Sequence, residues 1–154
     1  DTRKTTPGLR YWEKRAVVYG GCANHRFGLF DLVLIKNNHL TAAGGVRAAV
    51  RAAQAARPHY MRIEVEVESE ADLREAIAAG ADIIMLDNQT PDSLRALAAV
   101  ARSLKPDILL EASGGVTMET VRAVAETGVD IISTSAITMG APSANLSLTL
   151  LPPV

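Results

Sequence analysis

Short apolar runs alternate along the chain with longer, Ala-rich stretches whose apolar residues recur at helical spacing, a rhythm typical of βα proteins. The apolar runs predict five strands: Asp31–Ile35, Ile63–Val67, Asp82–Leu86, Asp107–Glu111 and Asp130–Ser133. The stretches between them predict four helices: Gly45–Arg57, Glu70–Ala79, Pro91–Ser103 and Met118–Glu126. Regular alternation of the two predicts parallel strands joined by right-handed crossovers.

Capping residues support these helix boundaries. Ser69, Thr90 and Thr117 each stand directly before a predicted helix, where a side-chain oxygen can accept a hydrogen bond from the first turn. Gly80 and Gly128 follow two of the helices, at the position where a chain commonly turns into the left-handed region. We therefore expect these five residues to mark the ends of the helices.

The arrangement of the predicted strands is open between a doubly wound sheet and a barrel. The near repeat of residues 79–84 and 127–132 indicates one αβ junction used twice. The strand Ile63–Val67 and the residue after it alternate acidic and apolar positions, which places Glu64, Glu66 and Glu68 on one face. A barrel interior can hold such acids near the C-terminal ends of its strands, so the pattern favours a TIM-like (β/α) barrel.

Composition narrows the class of protein. The 154 residues fit one domain, and the hydrophobic fraction of 48% with only 4% aromatic residues suits buried parallel strands under Ala-rich helices. A net charge of −1 argues against a nucleic-acid partner, and no apolar run approaches the ~20 residues of a membrane span. The single cysteine and the lack of a signal peptide favour a cytoplasmic location.

The net charge of the chain is close to zero, but its positive and negative residues are unevenly distributed along the sequence. Residues 1–36 carry a formal charge of +4, whereas the remaining residues carry −5. The cations include Arg3, Lys4, Arg26 and Lys36, with His25 beside one of them, and several lie where predicted strands end. This clustering favours a small polyanion that bears carboxylates and phosphates.

Functional residues of a (β/α) barrel lie at the C-terminal ends of the strands and in the loops that follow. This rule selects a polar set: Lys36, Glu66 or Glu68, Asp87 with Asn88, Ser113–Gly114–Gly115, and Ser133–Ser135, with Arg3 and Lys4 added if the chain starts inside a strand.

Each of these features has an alternative structural interpretation. The two glycines after Ser113 let backbone N–H groups approach an oxyanion at a helix N-terminus, or they form a plain βα turn. Asp87 suits ribose hydroxyls or Mg²⁺, unless it caps the next helix. Glu66 is a functional acid or one half of a structural ion pair, and His25 with Arg26 binds an anion or lies on the surface.

Seven segments together resemble one family, the quinolinate phosphoribosyltransferases. They are DTRKTTPGLR, the Gly-Gly…NHR loop, LVLIKNNHL, IEVEVES, GADIIMLDN, LEASGGVT and TGVDIIS, in family order and with family-like spacing. The resemblance implies that residues 1–154 are a C-terminal domain with an open, incomplete barrel, truncated at its N-terminus and lacking the family's N-terminal sandwich domain. It also implies an enzyme, a pentosyltransferase.

The implied reaction converts quinolinate and phosphoribosyl pyrophosphate, with Mg²⁺, into nicotinate mononucleotide, pyrophosphate and CO₂, a step of NAD biosynthesis. By the same resemblance, Arg3, His25 and Arg26 would surround the quinolinate carboxylates, and Lys4 and Lys36 would lie between quinolinate and the phosphoribosyl donor.

The remaining implied roles concern the donor. Glu66 and Asp87 would hold ribose hydroxyls and the metal-pyrophosphate, and Ser113, Gly114 and Gly115 would cradle the 5′-phosphate. The family assembles as dimers or larger, and it borrows an arginine from a neighbouring subunit's N-terminal domain.

The chain departs from the family pattern at three positions. Ser135 stands where a glycine is expected in the second phosphate loop, Asn37 replaces a usual acidic residue, and Asn145 stands where Asp is common. Two other functions stay open: a non-catalytic barrel fragment that needs missing segments, and a related phosphoribosyltransferase that uses nicotinate without decarboxylation.

Overall fold

A parallel five-stranded sheet, in the order β1-β2-β3-β4-β5, forms the centre of the computed structural model, which describes residues 1–152. The strands are β1 Val33–Ile35, β2 Ile63–Val67, β3 Ile83–Asp87, β4 Leu109–Ser113 and β5 Ile131–Ser133. Each strand pairs with its neighbours in sequence, and within residues 1–152 no pairing joins β1 to β5. The sheet is therefore an open, barrel-like α/β arrangement, which confirms the predicted fold class.

Seven helices accompany the sheet in the described part of the chain. They are α1 Arg10–Tyr19, α2 Asn37–Ala43, α3 Val46–Ala56, α4 Glu70–Ala79, α5 Pro91–Leu104, α6 Val121–Ala125 and α7 Ala136–Met139. The helices α3 to α6 correspond to the four predicted ones, whereas α1, α2 and α7 were not predicted. Within residues 1–152, none of these helices has the length and apolar character needed to cross a membrane.

Three of the five predicted caps are confirmed and one is wrong, whereas Gly128 has the expected left-handed φ of +92° but lies two residues beyond Glu126, the C-cap of α6. Ser69 accepts a hydrogen bond from the backbone of Asp72, Thr90 caps α5 in the same way, and Gly80 ends α4 in the left-handed region. Thr117 does not cap α6, because residues 118–120 form a turn and the helix begins only at Val121. The turn is held by the hydroxyl of Thr120, which accepts a hydrogen bond from the Thr117 backbone N–H at 2.9 Å.

The outer face of the sheet forms the hydrophobic core. Alternate residues of the central strands, such as Val65, Ile84 and Leu110, are fully buried and pack against the inner faces of α3, α4 and α5. Leu73 and Leu94 belong to the same cluster. Truncating one of these side chains to alanine would cost about 2–5 kcal/mol, so this layer holds the strands in register.

The inner face is polar. Because side chains alternate across a strand, the residues between the core positions point to the opposite side, where Glu64, Glu66, Glu111 and Ser133 are all buried. In the strand register, Asp87 pairs with Ser113, and Ser113 pairs with Ser133. This row lies two residues further along the strands than the row that contains Glu66 and Glu111. The fold thus lines its interior with acids and hydroxyls toward the C-terminal ends of the strands.

Candidate active site

Three of the predicted site residues meet at the C-terminal ends of β1, β2 and β3. Lys36 follows β1, and its Nζ forms an ion pair with the carboxylate of Glu66, which is 6% exposed. Asp87 ends β3 on the same inner face. Partial burial and the charge of Glu66 raise the pKa of Asp87, with Lys36 opposing them. Such mutual repulsion between carboxylates indicates a place where a cation would be stabilised.

The same corner contains a contact that the sequence did not reveal. Asn37 Nδ2 donates a hydrogen bond of 2.7 Å to Glu68 Oε1, which holds that exposed acid at the rim. Asn37 is one of the three residues that depart from the family pattern, and in this chain its amide serves as a partner for Glu68.

The loop Ser113–Gly115 follows β4 and is bent by two glycines in the left-handed region. Gly114 has φ +92° and Gly115 has φ +63°. Gly114 lies so close to Asn88 that a Cβ there would be 2.2 Å from Asn88 Oδ1. Since α6 starts six residues after Gly115, the loop is not the N-terminus of a helix, and the expected contribution of a helix dipole to anion binding is wrong. Backbone N–H groups remain available in this bend.

Ser135, the predicted residue of the second phosphate loop, precedes α7. Its φ of −90° and ψ of −4° are ordinary for a side-chain-bearing residue, and its side chain makes no capping hydrogen bond. The serine therefore fits this position without backbone strain, which removes one reason to expect that only glycine could occupy it.

His25 contacts two buried acids, Glu64 and Glu111, that were not predicted as site residues. Its Nε2 lies 3.1 Å from Glu64 Oε2 and 3.4 Å from Glu111 Oε2. Burial lowers the pKa of His25, but hydrogen bonds and charges from Glu111 and Glu64 outweigh it and raise the pKa to about 9. The two acids therefore favour a proton on Nε2, the nitrogen that faces them.

The two acids respond differently to this shared environment. Burial raises the pKa of Glu64 above its ordinary value. For Glu111 the contact with His25 overcomes burial, so that the pKa is lowered. Of the two carboxyl groups, Glu64 is thus the one that holds a proton more readily.

Donor atoms of His25, Glu64 and Glu111 lie within 4.8 Å of one another, a spacing that could hold a metal ion. The hydrogen bonds of His25 argue against this use. The backbone N–H of Arg26 donates to His25 Nδ1 at 2.8 Å, so a neutral ring carries its hydrogen on Nε2 and offers no lone pair to the acids. Carboxylate oxygens at Glu66 and Asp87 suit Mg²⁺ better.

Arg3 and Arg26 form a pair of like charges near His25. Burial, and then the charge of Arg3, lower the pKa of Arg26. Arg26 donates to the backbone oxygen of Leu32 at 3.0 Å, while Arg3 Nε is buried and has no hydrogen-bond partner within residues 1–152. Lys4 is exposed nearby. Two guanidinium groups held together with unused donors are expected where an anion binds.

A buried ion pair holds the His25 loop in place. Lys14 of α1 donates to both carboxylate oxygens of Asp1, at 2.9 and 3.0 Å, and to the backbone oxygen of His25 at 2.9 Å. The backbone N–H of His25 in turn donates to Asp1 Oδ1 at 2.6 Å. Because α1 was not predicted, this link between Lys14, Asp1 and His25 could not be foreseen.

A cavity of about 1060 Å³ opens beside this loop and reaches across to β5. His25, Arg26, Glu111 and Ser133 are among the residues that line it. Within residues 1–152, the buried atoms Glu64 Oε1, Glu111 Oε1 and Ser133 Oγ have no hydrogen-bond partner. The arrangement therefore combines charged donors, unpaired acceptors and enough space for a small ligand.

Almost the whole chain is similar in sequence to known proteins. A family model described as "Quinolinate phosphoribosyl transferase, C-terminal domain" matches residues 1–149. The chain is 50% identical over 148 residues to the probable nicotinate-nucleotide pyrophosphorylase [carboxylating] of Bacillus subtilis, covering 96% of this chain and 50% of that protein. It is 43% identical over 149 residues to the human nicotinate-nucleotide pyrophosphorylase [carboxylating], with 97% and 50% covered.

Solved structures agree. NadC from Streptococcus pyogenes superposes with a TM-score of 0.84 at 41% identity, over 91% of this chain and 48% of that one. A NadC deletion mutant in a cubic crystal form gives 0.87 at 41% identity, over 99% of this chain and 54% of that one. The chain thus spans about half the length of the curated relatives it matches.

Proposed function

This chain belongs to the quinolinate phosphoribosyl transferase family, and from that premise we propose that it carries the site at which quinolinate attacks phosphoribosyl pyrophosphate and loses CO₂. The products are nicotinate mononucleotide, pyrophosphate and CO₂, so the activity is that of a pentosyltransferase in NAD biosynthesis.

The observation that carries the proposal is the buried, unpartnered Nε of Arg3, whose charge lowers the pKa of Arg26 next to His25, within residues 1–152. Because Arg3 Nε has no hydrogen-bond partner and the charge of Arg3 is felt at Arg26, cationic donors are in excess here within residues 1–152. A ligand with two carboxylates would satisfy this excess, because each guanidinium can bind a carboxylate through two parallel hydrogen bonds. Quinolinate has two carboxylates, whereas nicotinate has one.

The acids at the strand ends suit the other substrate. When pyrophosphate leaves, positive charge builds at C1 of the ribose, and the carboxylates of Glu66 and Asp87 can stabilise it. Lys4 and Lys36 lie between the two substrates in this proposal. Lys36 also neutralises Glu66 before substrates bind, since the two form an ion pair.

Residues of two loops complete the donor site. The backbone N–H groups of Ser113, Gly114 and Gly115 would bind the 5′-phosphate, with Ser135 in the second phosphate loop. The positive φ values of both glycines support this role, because such bends expose consecutive N–H groups to an anion.

The carboxylates also suit a metal ion. Burial, and then the charge of Glu66, raise the pKa of Asp87, and Mg²⁺ would relieve the repulsion between the two carboxylates. When bound, Mg²⁺ would neutralise charge on the pyrophosphate leaving group. We therefore propose Glu66 and Asp87 as its holders, directly or through water.

The direct test is product formation by the complete gene product. With phosphoribosyl pyrophosphate and Mg²⁺, we expect quinolinate to yield nicotinate mononucleotide and CO₂ in equal amounts, and nicotinate to yield nothing. Arg26→Ala should lose this activity, whereas Arg95→Ala, which removes an exposed arginine paired with Asp92 on α5, should keep it. Equal use of nicotinate would favour the related nicotinate enzyme, and an inactive but folded protein would favour the non-catalytic alternative.

Three expectations stay predictions from the sequence: a homodimer or larger assembly, a cytoplasmic location, and an arginine supplied by a neighbouring subunit.

A further inference from the structure

Asn88 is the one residue other than glycine that has a positive φ within residues 1–152. Its φ is +52°, whereas the other positive values all belong to glycines, Gly114 and Gly115 among them. Asparagine tolerates the left-handed region better than most residues, but glycine adopts it with less strain. Strained residues of this kind gather at functional sites. Since glycine would form the bend more easily, we expect the side chain of Asn88 to have a use of its own.

The side chain of Asn88 lies between the Asp87 carboxylate and the Ser113–Gly115 loop. Its Nδ2 donates a hydrogen bond of 2.6 Å to Asp87 Oδ2. An ionised carboxylate only accepts hydrogen bonds, so this contact fixes the orientation of the amide and turns Oδ1 away from Asp87. Oδ1 lies against Gly114, so close that a Cβ on that glycine would overlap it. One amide therefore touches both halves of the proposed donor site.

The backbone around Asn88 is held by hydrogen bonds that do not involve this amide. The N–H of Asn88 donates to the backbone oxygen of Ser113 at 2.9 Å, which extends the pairing of β3 with β4. Gln89 Nε2 donates to the backbone oxygens of Asp87 and Glu68, at 3.1 and 3.3 Å. Because these contacts hold the loop, the Asn88 amide acts on the position of the Asp87 carboxylate rather than on the fold.

We propose that Asn88 is a positioning residue for the phosphoribosyl donor, which fixes the Asp87 carboxylate relative to the Ser113–Gly115 loop. The inference rests on the proposed function, in which Asp87 binds the ribose and pyrophosphate end of the donor and the loop binds its 5′-phosphate. Both ends belong to one molecule, so the spacing of the two binding sites decides how well it binds. Burial raises the pKa of Asp87, and the hydrogen bond from Asn88 opposes this and favours the charged carboxylate.

Two substitutions keep the bend but lose the hydrogen bond. Asn88→Gly removes the amide and adopts the positive φ freely, whereas Asn88→Asp keeps the shape but sets a second carboxylate against Asp87. In the complete gene product, both should raise KM for phosphoribosyl pyrophosphate by about 10–100-fold, the effect of losing a hydrogen bond to a charged group. With saturating donor, KM for quinolinate should stay within about twofold, because the contacts of Asn88 lie on the donor side of the site. Asn145→Gly, at an exposed position outside the helices and strands, is the matched control.

Binding without turnover separates positioning from a loss of stability. Titration of phosphoribosyl pyrophosphate into each variant, with quinolinate left out, should show the same loss of affinity. The melting temperature of Asn88→Gly should stay within about 5 °C of the wild type, since the relief of left-handed strain offsets the lost hydrogen bond. A role confined to folding would instead lower the melting temperature and the active fraction, and would leave both KM values unchanged.

The proposal is overturned if Asn88→Gly binds phosphoribosyl pyrophosphate as tightly as the wild type and Asn145→Gly do, or if KM for quinolinate rises as much as KM for the donor. If Asn88→Gly does not fold, the same comparison of KM values on Asn88→Asp decides. A wild-type protein that forms no nicotinate mononucleotide from quinolinate would refute the proposed function, whereas wild-type turnover with an unaffected Asn88→Gly would refute only the role of Asn88.

Discussion

Replacing Gly114 by alanine tests the geometry of the phosphate loop at one carbon atom. The new Cβ would lie 2.2 Å from Asn88 Oδ1, 2.7 Å from its Cγ and 3.0 Å from its backbone N, at a φ of +92°. Asn88 cannot move freely, because its Nδ2 donates to Asp87 Oδ2 at 2.6 Å and its backbone N–H donates to Ser113 at 2.9 Å. Gly115→Ala is the matched control, since nothing lies within 4 Å of its added Cβ.

The expected costs differ in size. A non-glycine residue in a sparsely populated backbone region costs about 1–3 kcal/mol. Overpacking against Asn88 adds about 1–3 kcal/mol, so Gly114→Ala should lose about 2–6 kcal/mol of stability. Gly115→Ala, at φ +63° and in open space, carries only the left-handed penalty of about 1–2 kcal/mol.

Urea unfolding and steady-state kinetics measure the difference. Gly114→Ala should lower the urea midpoint by roughly 1 M or more, given slopes of about 1–3 kcal/mol per molar. It should also raise KM for phosphoribosyl pyrophosphate, because displaced Asn88 no longer holds Asp87 in place. Equal midpoints and equal KM values for the two variants would refute the steric reasoning.

Three further substitutions test other parts of the site. Lys36→Ala should lower kcat by at least about 10²-fold in steady-state assays while the protein still folds, with some loss of melting temperature because the buried Glu66 carboxylate loses its partner; wild-type activity would remove Lys36 from the site. Ser135→Gly should leave the affinity for phosphoribosyl pyrophosphate unchanged within about twofold in equilibrium titrations, since the serine is unstrained; a larger change would mean that its side chain contacts the ligand. Lys14→Ala should cost about 3–5 kcal/mol in urea unfolding because it leaves the Asp1 carboxylate buried and unpaired, and a loss below about 1 kcal/mol would contradict that account.

Much of the fold could be predicted because local signals agreed with tertiary packing. The strand β2 was placed at its observed bounds, Ile63–Val67, since its alternation matches one buried apolar face and one acidic face. The helix α4 was also placed correctly, between a serine cap and a glycine stop. Strands without such alternation, for example β4, were shifted by two residues, because an apolar run buried on both faces does not mark its own ends.

The helices that were missed depend on contacts far apart in sequence. In α1 only Lys14 and Val17 are buried, so the helix has almost no apolar stripe to recognise. The helix α2 follows Lys36 without a conventional cap. Instead, the ring of His39 accepts a hydrogen bond from the Lys36 backbone N–H at 2.9 Å. Neither arrangement follows from helical propensity or periodicity.

The strand-end rule found Lys36, Glu66 and Asp87 because each lies at or next to the C-terminal end of a separate parallel strand. It overlooked Glu64, two residues before Glu66 on β2, and Glu111, in the same row of the sheet as Glu66, although the alternation of β2 already placed Glu64 on the inner face. The missing information was the position of His25, which the ion pair of Lys14 with Asp1 sets from another part of the chain. Contacts of this kind depend on tertiary structure.

The central claim is a pocket built for two carboxylates, and calorimetric titration of quinolinate, with nicotinate as the control, tests it most directly. We expect quinolinate to bind at least about tenfold more tightly, a difference of roughly 1.4 kcal/mol. We expect Arg26→Ala to abolish this preference. Equal binding of the two ligands to the folded protein, or a preference that survives Arg26→Ala, would contradict the assignment of the Arg3 and Arg26 pair as the dicarboxylate site.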